Sequence, residues 1–202
     1  MLKPLEQCQR CTRFKTQFRD LRASHPNYWN KPVPCSGSSD APLTIIGLAP
    51  GMHGANRTGV PFTGDASGNL LFATLEKLSL IDSVMITNAV KCLPISNKPN
   101  AREIDNCQAY LRRELLPRAG SKVILALGRI AQAGTAEVNS FWNKQVRCLW
   151  WSNKFSNENG LVDKAHKNTD HAFEQPATDF EGGLRASIRD RKMDRYQPGS
   201  KS

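Results

Sequence analysis

No stretch of this 202-residue chain approaches the roughly 18 consecutive apolar side chains that a membrane-spanning helix requires. A membrane partner is therefore not expected. The segment Met1 to Asp20 is polar and lacks the apolar core of an export signal, which makes a cytoplasmic protein the expectation. Without export, disulfides are disfavoured, so the six cysteines at 8, 11, 35, 92, 107 and 148 call for another explanation. Acidic side chains are in deficit, 18 against 28 basic, and the formal net charge is +10. No internal repeat occurs beyond an alternation of strands and helices.

The position of the positive charge decides what it means. Residues 151–202 carry 9 basic and 8 acidic side chains, whereas residues 1–150 carry 19 and 10. The excess belongs to the part of the chain with regular apolar patterning. Nucleic acid is the leading partner for such a surface, because binding to phosphates releases counterions.

Short apolar runs at Leu43–Gly47, Val84–Asn88 and Lys122–Leu127 read as buried parallel strands. Helical spacing follows each of them: Asn69 to Leu80, then Ile104 to Leu116, then a helix opening at Gly128. A basic helix is expected over Thr12 to Ala23. This alternation predicts an α/β fold, a three-layer αβα arrangement with a short central parallel sheet. In such sheets ligands sit at the carboxyl ends of the strands. Those ends carry residues 47–65, 88–91 and Gly128.

Cys8-x-x-Cys11 and the pair Cys92 and Cys107 supply four thiols, suited to zinc or to a [4Fe–4S] cluster. Spacing alone does not choose between these metals. Cys35 and Cys148 have no evident partner. Residues 47–68 hold six glycines between a strand and a helix and read as a ligand loop. It lacks the closing Gly-Lys-Ser/Thr of a Walker A loop and is not a dinucleotide fingerprint.

Several segments together resemble one family. Gly47-Leu-Ala-Pro-Gly-Met-His-Gly-Ala-Asn-Arg-Thr-Gly-Val-Pro-Phe-Thr-Gly-Asp-Ala-Ser-Gly68 is similar to the first signature of type-5 uracil-DNA glycosylases. Thr87-Asn-Ala-Val-Lys-Cys-Leu-Pro94, Asn97-Lys-Pro99 and Val123-Ile-Leu-Ala-Leu-Gly-Arg-Ile-Ala131 resemble its later core segments. The likeness covers roughly residues 5–133. It implies a [4Fe–4S] cluster on Cys8, Cys11, Cys92 and Cys107, and hydrolysis of the N-glycosidic bond of uracil, and of other deaminated bases, in DNA. Leu48 follows the first glycine, where sister branches have a polar residue, so the water-activating base must come from elsewhere. The resemblance supports Asp65 as the catalytic carboxylate, Phe62 as the stacking ring and Asn88 as the reader of the base edge. Backbone amides of Leu48 to Gly51 would hold the uracil oxygen. His53, Asn56 and Arg57 are expected at phosphate or the pocket rim. The simpler readings are a core Phe62, a helix-capping Asp65 and a strand-capping Asn88. Lys91 and Arg129 read as generic basic surface or backbone contacts. The cluster is expected to be a structural brace, and the protein a monomer.

The family's second signature, a histidine-containing segment after a fourth strand, is not found. His166 and His171 match neither its spacing nor its preceding strand. Residues 134–202 are accordingly expected to be a divergent tail, frameshifted or disordered, with one edge of the sheet missing. The competing functions are then an active glycosylase, a catalytically impaired iron–sulfur DNA-binding remnant, and a zinc-dependent nucleic-acid protein.

Overall fold

The elements run α1 (Thr12–Ser24), β1 (Ser36–Gly37), β2 (Leu43–Gly47), α2 (Ala55–Thr58), α3 (Ala66–Lys77), β3 (Val84–Asn88), α4 (Ala101–Leu115), β4 (Val123–Leu127) and β5 (Arg147–Trp151). They come from a computed structural model that describes residues 2–38, 40–116, 123–133 and 147–151. One five-stranded sheet has the order β1-β3-β2-β4-β5. β2, β3, β4 and β5 are mutually parallel, and the two-residue β1 pairs antiparallel with the outer edge of β3.

Strand periodicity builds the three expected layers. Alternate residues point to opposite faces, so Leu43, Ile45, Val84, Ile86, Val123 and Leu125 pack beneath Leu71 and Leu75 of α3. Ile46, Met85, Ile124 and Ala126 face the other way, onto Leu111 and Leu115 of α4. A third cluster joins Phe14 and Phe18 of α1 to Val90, Leu93 and Cys107. Helix α4 begins earlier than its apolar spacing suggests because Asn100 caps it. The Asn100 side chain accepts from Glu103 N at 2.9 Å, and Glu103 returns a bond to Asn100 N at 2.9 Å. α1 is tied to α4 by Arg13 and Glu103, 2.9 Å apart.

Three findings differ from the sequence reading. A short helix, α2, lies inside the glycine-rich segment that was expected to be loop throughout. β5 lies against β4, with Val123 opposite Arg147 and Leu127 opposite Trp151. It occupies the edge expected to be missing, although Val146–Trp151 reads in sequence only as a late apolar cluster. The rest of 134–202, with His166 and His171, lies outside the described residues.

Lys91 is the third difference, because it is buried and not on the surface. Only 1% of its side chain is exposed, and its Nζ reaches Glu114 Oε2 at 2.5 Å and Thr87 Oγ1 at 2.6 Å. Thr87 Oγ1 donates to the same carboxylate at 2.8 Å. Removing one partner of a buried pair strands the other charge. Lys91→Met is expected to destabilise the protein by about 3 kcal/mol. Lys91→Met with Glu114→Gln should recover much of that loss, as read from urea unfolding midpoints. Arg129, by contrast, is exposed.

Candidate active site

The strand order reverses around β2, since β3 lies on one side of it and β4 on the other. Ligands in open parallel sheets bind at such a switch point, beyond the carboxyl ends of the strands. A cavity of about 370 Å³ lies there, lined by the last residues of three strands, Gly47, Asn88 and Leu127. Leu48, Ala49, Pro50, Gly51, Phe62 and Asp65 from the glycine-rich segment line it too. The two strand ends are stitched beyond the sheet: Ala89 N donates to Gly47 O and Val90 N to Leu48 O, each at 2.9 Å. Those carbonyls are therefore occupied. Pro50 has no N–H, so the donors this turn offers are Leu48, Ala49 and Gly51.

Close approach around Gly47 defines the pocket wall. A Cβ there would stand 2.5 Å from Phe62 Cζ and 2.6 Å from Asn88 Oδ1. Only a glycine lets the ring and the amide converge over the strand end. Phe62 has φ 57°, the left-handed region that a bulky residue rarely adopts. Such a conformation costs about 1–3 kcal/mol and persists only where the surroundings enforce it. Asn88 is nearly buried, at 3% exposure.

Asp65 is both cap and pocket residue, through different oxygens. Oδ1 accepts from Gly68 N at 2.8 Å and caps α3. Oδ2 lies over Gly51 and Gly54, where a Cβ on Gly54 would clash with it. The capping and functional readings of this residue are thus compatible.

The three expected rim residues separate. His53 and Arg57 are exposed. Asn56 is not at the rim: it is fully buried, and its Nδ2 donates to Asn30 Oδ1 at 3.0 Å. Asn30 itself holds the end of α1 through Nδ2 to His25 O at 2.8 Å. Asn56 therefore braces the glycine-rich segment against α1 and cannot touch a phosphate from that position.

Cys8, Cys11, Cys92 and Cys107 line a second cavity, of about 330 Å³. Asn106 Nδ2 donates to Cys11 Sγ at 3.4 Å and to Arg10 O at 3.2 Å, and Lys91 N donates to Cys107 Sγ at 3.5 Å. Burial pushes the Cys92 thiol well above its ordinary range, and then Cys107, Cys8 and Cys11 push it further. Burial likewise raises Cys107 to about 11 and lifts Cys11. Tyr110 is pushed up to about 12 by burial and then by its hydrogen bond with Cys8. Among the described residues no three His, Cys, Asp or Glu side chains are placed to hold a single metal ion. One tetrahedral zinc would draw its thiolates to about 3.8 Å from one another, given Zn–S bonds of about 2.3 Å. A cubane interposes an iron atom at each ligand and needs a wider ring of sulfurs. Four thiols around one shared cavity are donors that suit either arrangement. Cys35 stands elsewhere, with its N–H donating to Glu114 Oε1 at 3.3 Å. The side chain of Cys148 lies outside the described residues.

Reasoning from sequence missed Gly47 as the residue that admits Phe62 and Asn88. It also missed Asn97, which lines the pocket with φ 55°. The signal for Gly47 was a glycine ending a strand after the β-branched run Thr44, Ile45 and Ile46, where close backbone or ligand approach is the usual cause. Nothing local marks Asn97.

The molecule is thus a three-layer α/β protein with a ligand pocket at the switch point of its sheet. A profile of the Uracil DNA glycosylase superfamily matches residues 34–175, and the chain belongs to that superfamily. It is 40% identical over 148 residues to a type-5 uracil-DNA glycosylase of Pyrobaculum aerophilum, covering 63% of this chain and 64% of that protein. It is 42% identical over 117 residues to the type-5 uracil-DNA glycosylase of Thermus thermophilus, covering 52% and 53%. Identity to a type-4 uracil-DNA glycosylase of Archaeoglobus fulgidus is 34% over 133 residues, covering 65% and 59%. The chain therefore spans between about half and two thirds of the length of these relatives. Among the described residues no helix is long and apolar enough to cross a membrane.

Proposed function

We propose that this protein is a DNA-repair glycosylase that hydrolyses the N-glycosidic bond of uracil, and of related deaminated bases, in DNA. The observation that carries the reading is the convergence of Phe62, Asn88 and Asp65 on one cavity at the strand ends. A base inside a duplex is out of reach, so the nucleotide must be extruded into this pocket. Phe62 offers a ring face for stacking, and the Asn88 amide offers an acceptor and two donors to the base edge. As the C1′–N1 bond breaks, its electron pair leaves on the base. The Leu48, Ala49 and Gly51 amides stabilise the charge developing on the uracil oxygen. Asp65 orients water toward the cationic C1′ and takes its proton. His53 and Arg57 face the backbone of the DNA. The partner is duplex or single-stranded DNA, met inside the cell by a monomer.

We also propose that Cys8, Cys11, Cys92 and Cys107 hold a [4Fe–4S] cluster that braces α1 against α4. The cavity shared by the four thiols supports it. Such a group contributes fixed geometry, and the pocket lies outside its ligands.

Both halves have direct tests. Purified protein incubated with a uracil-containing oligonucleotide should yield an alkali-labile site at the uracil and none at thymine; no cleavage at uracil would overturn the glycosylase reading. A brown protein containing iron and acid-labile sulfide, with colour lost in Cys92→Ser, is expected for the cluster. A colourless zinc protein would refute it.

A further inference from the structure

Helix α4 meets residues 8–13 with one row of side chains. Glu103, Asn106 and Tyr110 follow one another at helical spacing and so share one face of the helix. Glu103 Oε1 accepts from Arg13 Nη1 at 2.9 Å. Asn106 exchanges bonds with Arg10: its Nδ2 donates to Arg10 O at 3.2 Å, and Arg10 Nη1 donates to Asn106 O at 3.2 Å. The same amide nitrogen also reaches Cys11 Sγ at 3.4 Å. One turn further on, the buried Tyr110 hydroxyl is hydrogen-bonded to Cys8. Residues 103, 106 and 110 are thus matched in reverse order by 13, 10–11 and 8.

The four thiols differ in how they are held. Cys107 lies on α4 itself, and Cys92 is packed between Val90 and Leu93 in the core beside α1. Cys8 and Cys11 are only half-buried. Cys11 occupies the N-cap position of α1, yet its side chain makes no capping bond. Side-chain bonds from α4 are what tie this pair to the other two. Those bonds also suit one charge state. A neutral thiol is a weak acceptor, whereas a hydrogen bond to an ionised group is roughly twice as strong as a neutral one. Donors reach Cys8, Cys11 and, through Lys91 N at 3.5 Å, Cys107. A metal ligand is a thiolate, so donors on sulfur favour the form that binds.

We infer that Asn106 and Tyr110 are positioning residues of the cysteine site, which aim the Cys11 and Cys8 sulfurs into the shared cavity and set the retention and reduction potential of the group bound there. The inference rests on the cluster reading for the identity of that group. Hydrogen bonds to ligand sulfurs favour the more negative, reduced state and so raise the potential. Partners in this outer layer also fix the direction of each ligand.

The test uses the full chain purified without oxygen and assayed for iron and acid-labile sulfide. Its midpoint potential is read from the visible absorbance against applied potential. Tyr110→Phe deletes one hydroxyl and keeps the ring, and Asn106→Ala deletes both amide donors. Each should lower the midpoint potential. Each should also release iron to a chelator about tenfold faster, the low end of what losing an outer partner of a metal ligand costs. Side chains that only pack α4 against residues 8–13 would leave the potential where it was. Should Asn106→Ala fail to fold, Tyr110→Phe alone decides. An unchanged potential in Tyr110→Phe would overturn the inference and leave the cluster reading intact. A colourless wild-type protein that holds zinc, and releases it about tenfold faster as Tyr110→Phe, would overturn the cluster reading and leave the positioning role standing. A wild-type protein with no bound metal would overturn both.

Discussion

Asp65→Asn is expected to slow uracil release by about 10²–10⁴-fold, the range for losing a positioned general base, with folding and DNA affinity retained. The geometry makes this substitution unusually clean. The carboxylate divides its work: Oδ1 caps α3 through Gly68 N at 2.8 Å, and Oδ2 lies over Gly54 and over Gly51, which lines the pocket with Asp65. Asparagine is as good a helix cap as aspartate, so the amide oxygen keeps the bond to Gly68. The pocket-facing oxygen becomes an NH₂ group that cannot take a proton from water. Asp65→Ala removes both functions and should add about 1 kcal/mol of destabilisation from the lost cap. Single-turnover rates and thermal midpoints for the two variants separate the roles. Equal rates in Asp65→Asn and wild type would mean that Asp65 only caps the helix.

The core of the molecule was legible because each central strand carries its own signal. β2, β3 and β4 are five-residue runs, mostly apolar and buried almost throughout, and their positions in the sheet follow from the helices between them. The start of α4 was also written locally, in Asn100 and Glu103, but the apolar spacing that begins at Ile104 masks it. β5 was harder. A parallel edge strand takes its hydrogen bonds from a neighbour distant in sequence, so 147–151 needs only to be extended and apolar, a pattern shared with many segments that are not strands.

Side-chain placement was legible where the backbone dictates it and illegible where a distant residue does. Phe62, Asp65 and Asn88 converge because strand ends and the segment after β2 must meet at the switch point. Asn56 and Lys91 look like solvent-facing groups in sequence. Each is buried because one specific polar partner waits for it: Asn30, held at φ 47°, receives Asn56, and Glu114 receives Lys91. Burying a polar group is tolerable only with such a partner, and no local pattern announces that a partner 23 or 26 residues away will be there. The same holds for His53, whose hydroxyl partner is Tyr28.

Gly47→Ala should lower kcat/KM for uracil release by about a hundredfold, the scale on which an ångström of misplacement acts, while the sheet survives. Gly47 does not have the positive φ of Gly59 or Gly64, so alanine meets no backbone objection, and β2 stays paired through Gly47 and Asn88. The objection is on the pocket side alone, where the new methyl group would stand 2.5 Å from Phe62 Cζ and 2.6 Å from Asn88 Oδ1. Both side chains must retreat. Phe62 already sits at φ 57° and has little freedom to turn away without moving the chain before Asp65. The expected signature is loss of preference for a 2′-fluoro-2′-deoxyuridine duplex over a thymidine one, with the salt dependence of binding unchanged because the substitution alters no charge. Adding Phe62→Ala to Gly47→Ala should then cost little more, since residues that share one contact are not additive. Full activity in Gly47→Ala would mean that the base does not lie between Phe62 and Asn88.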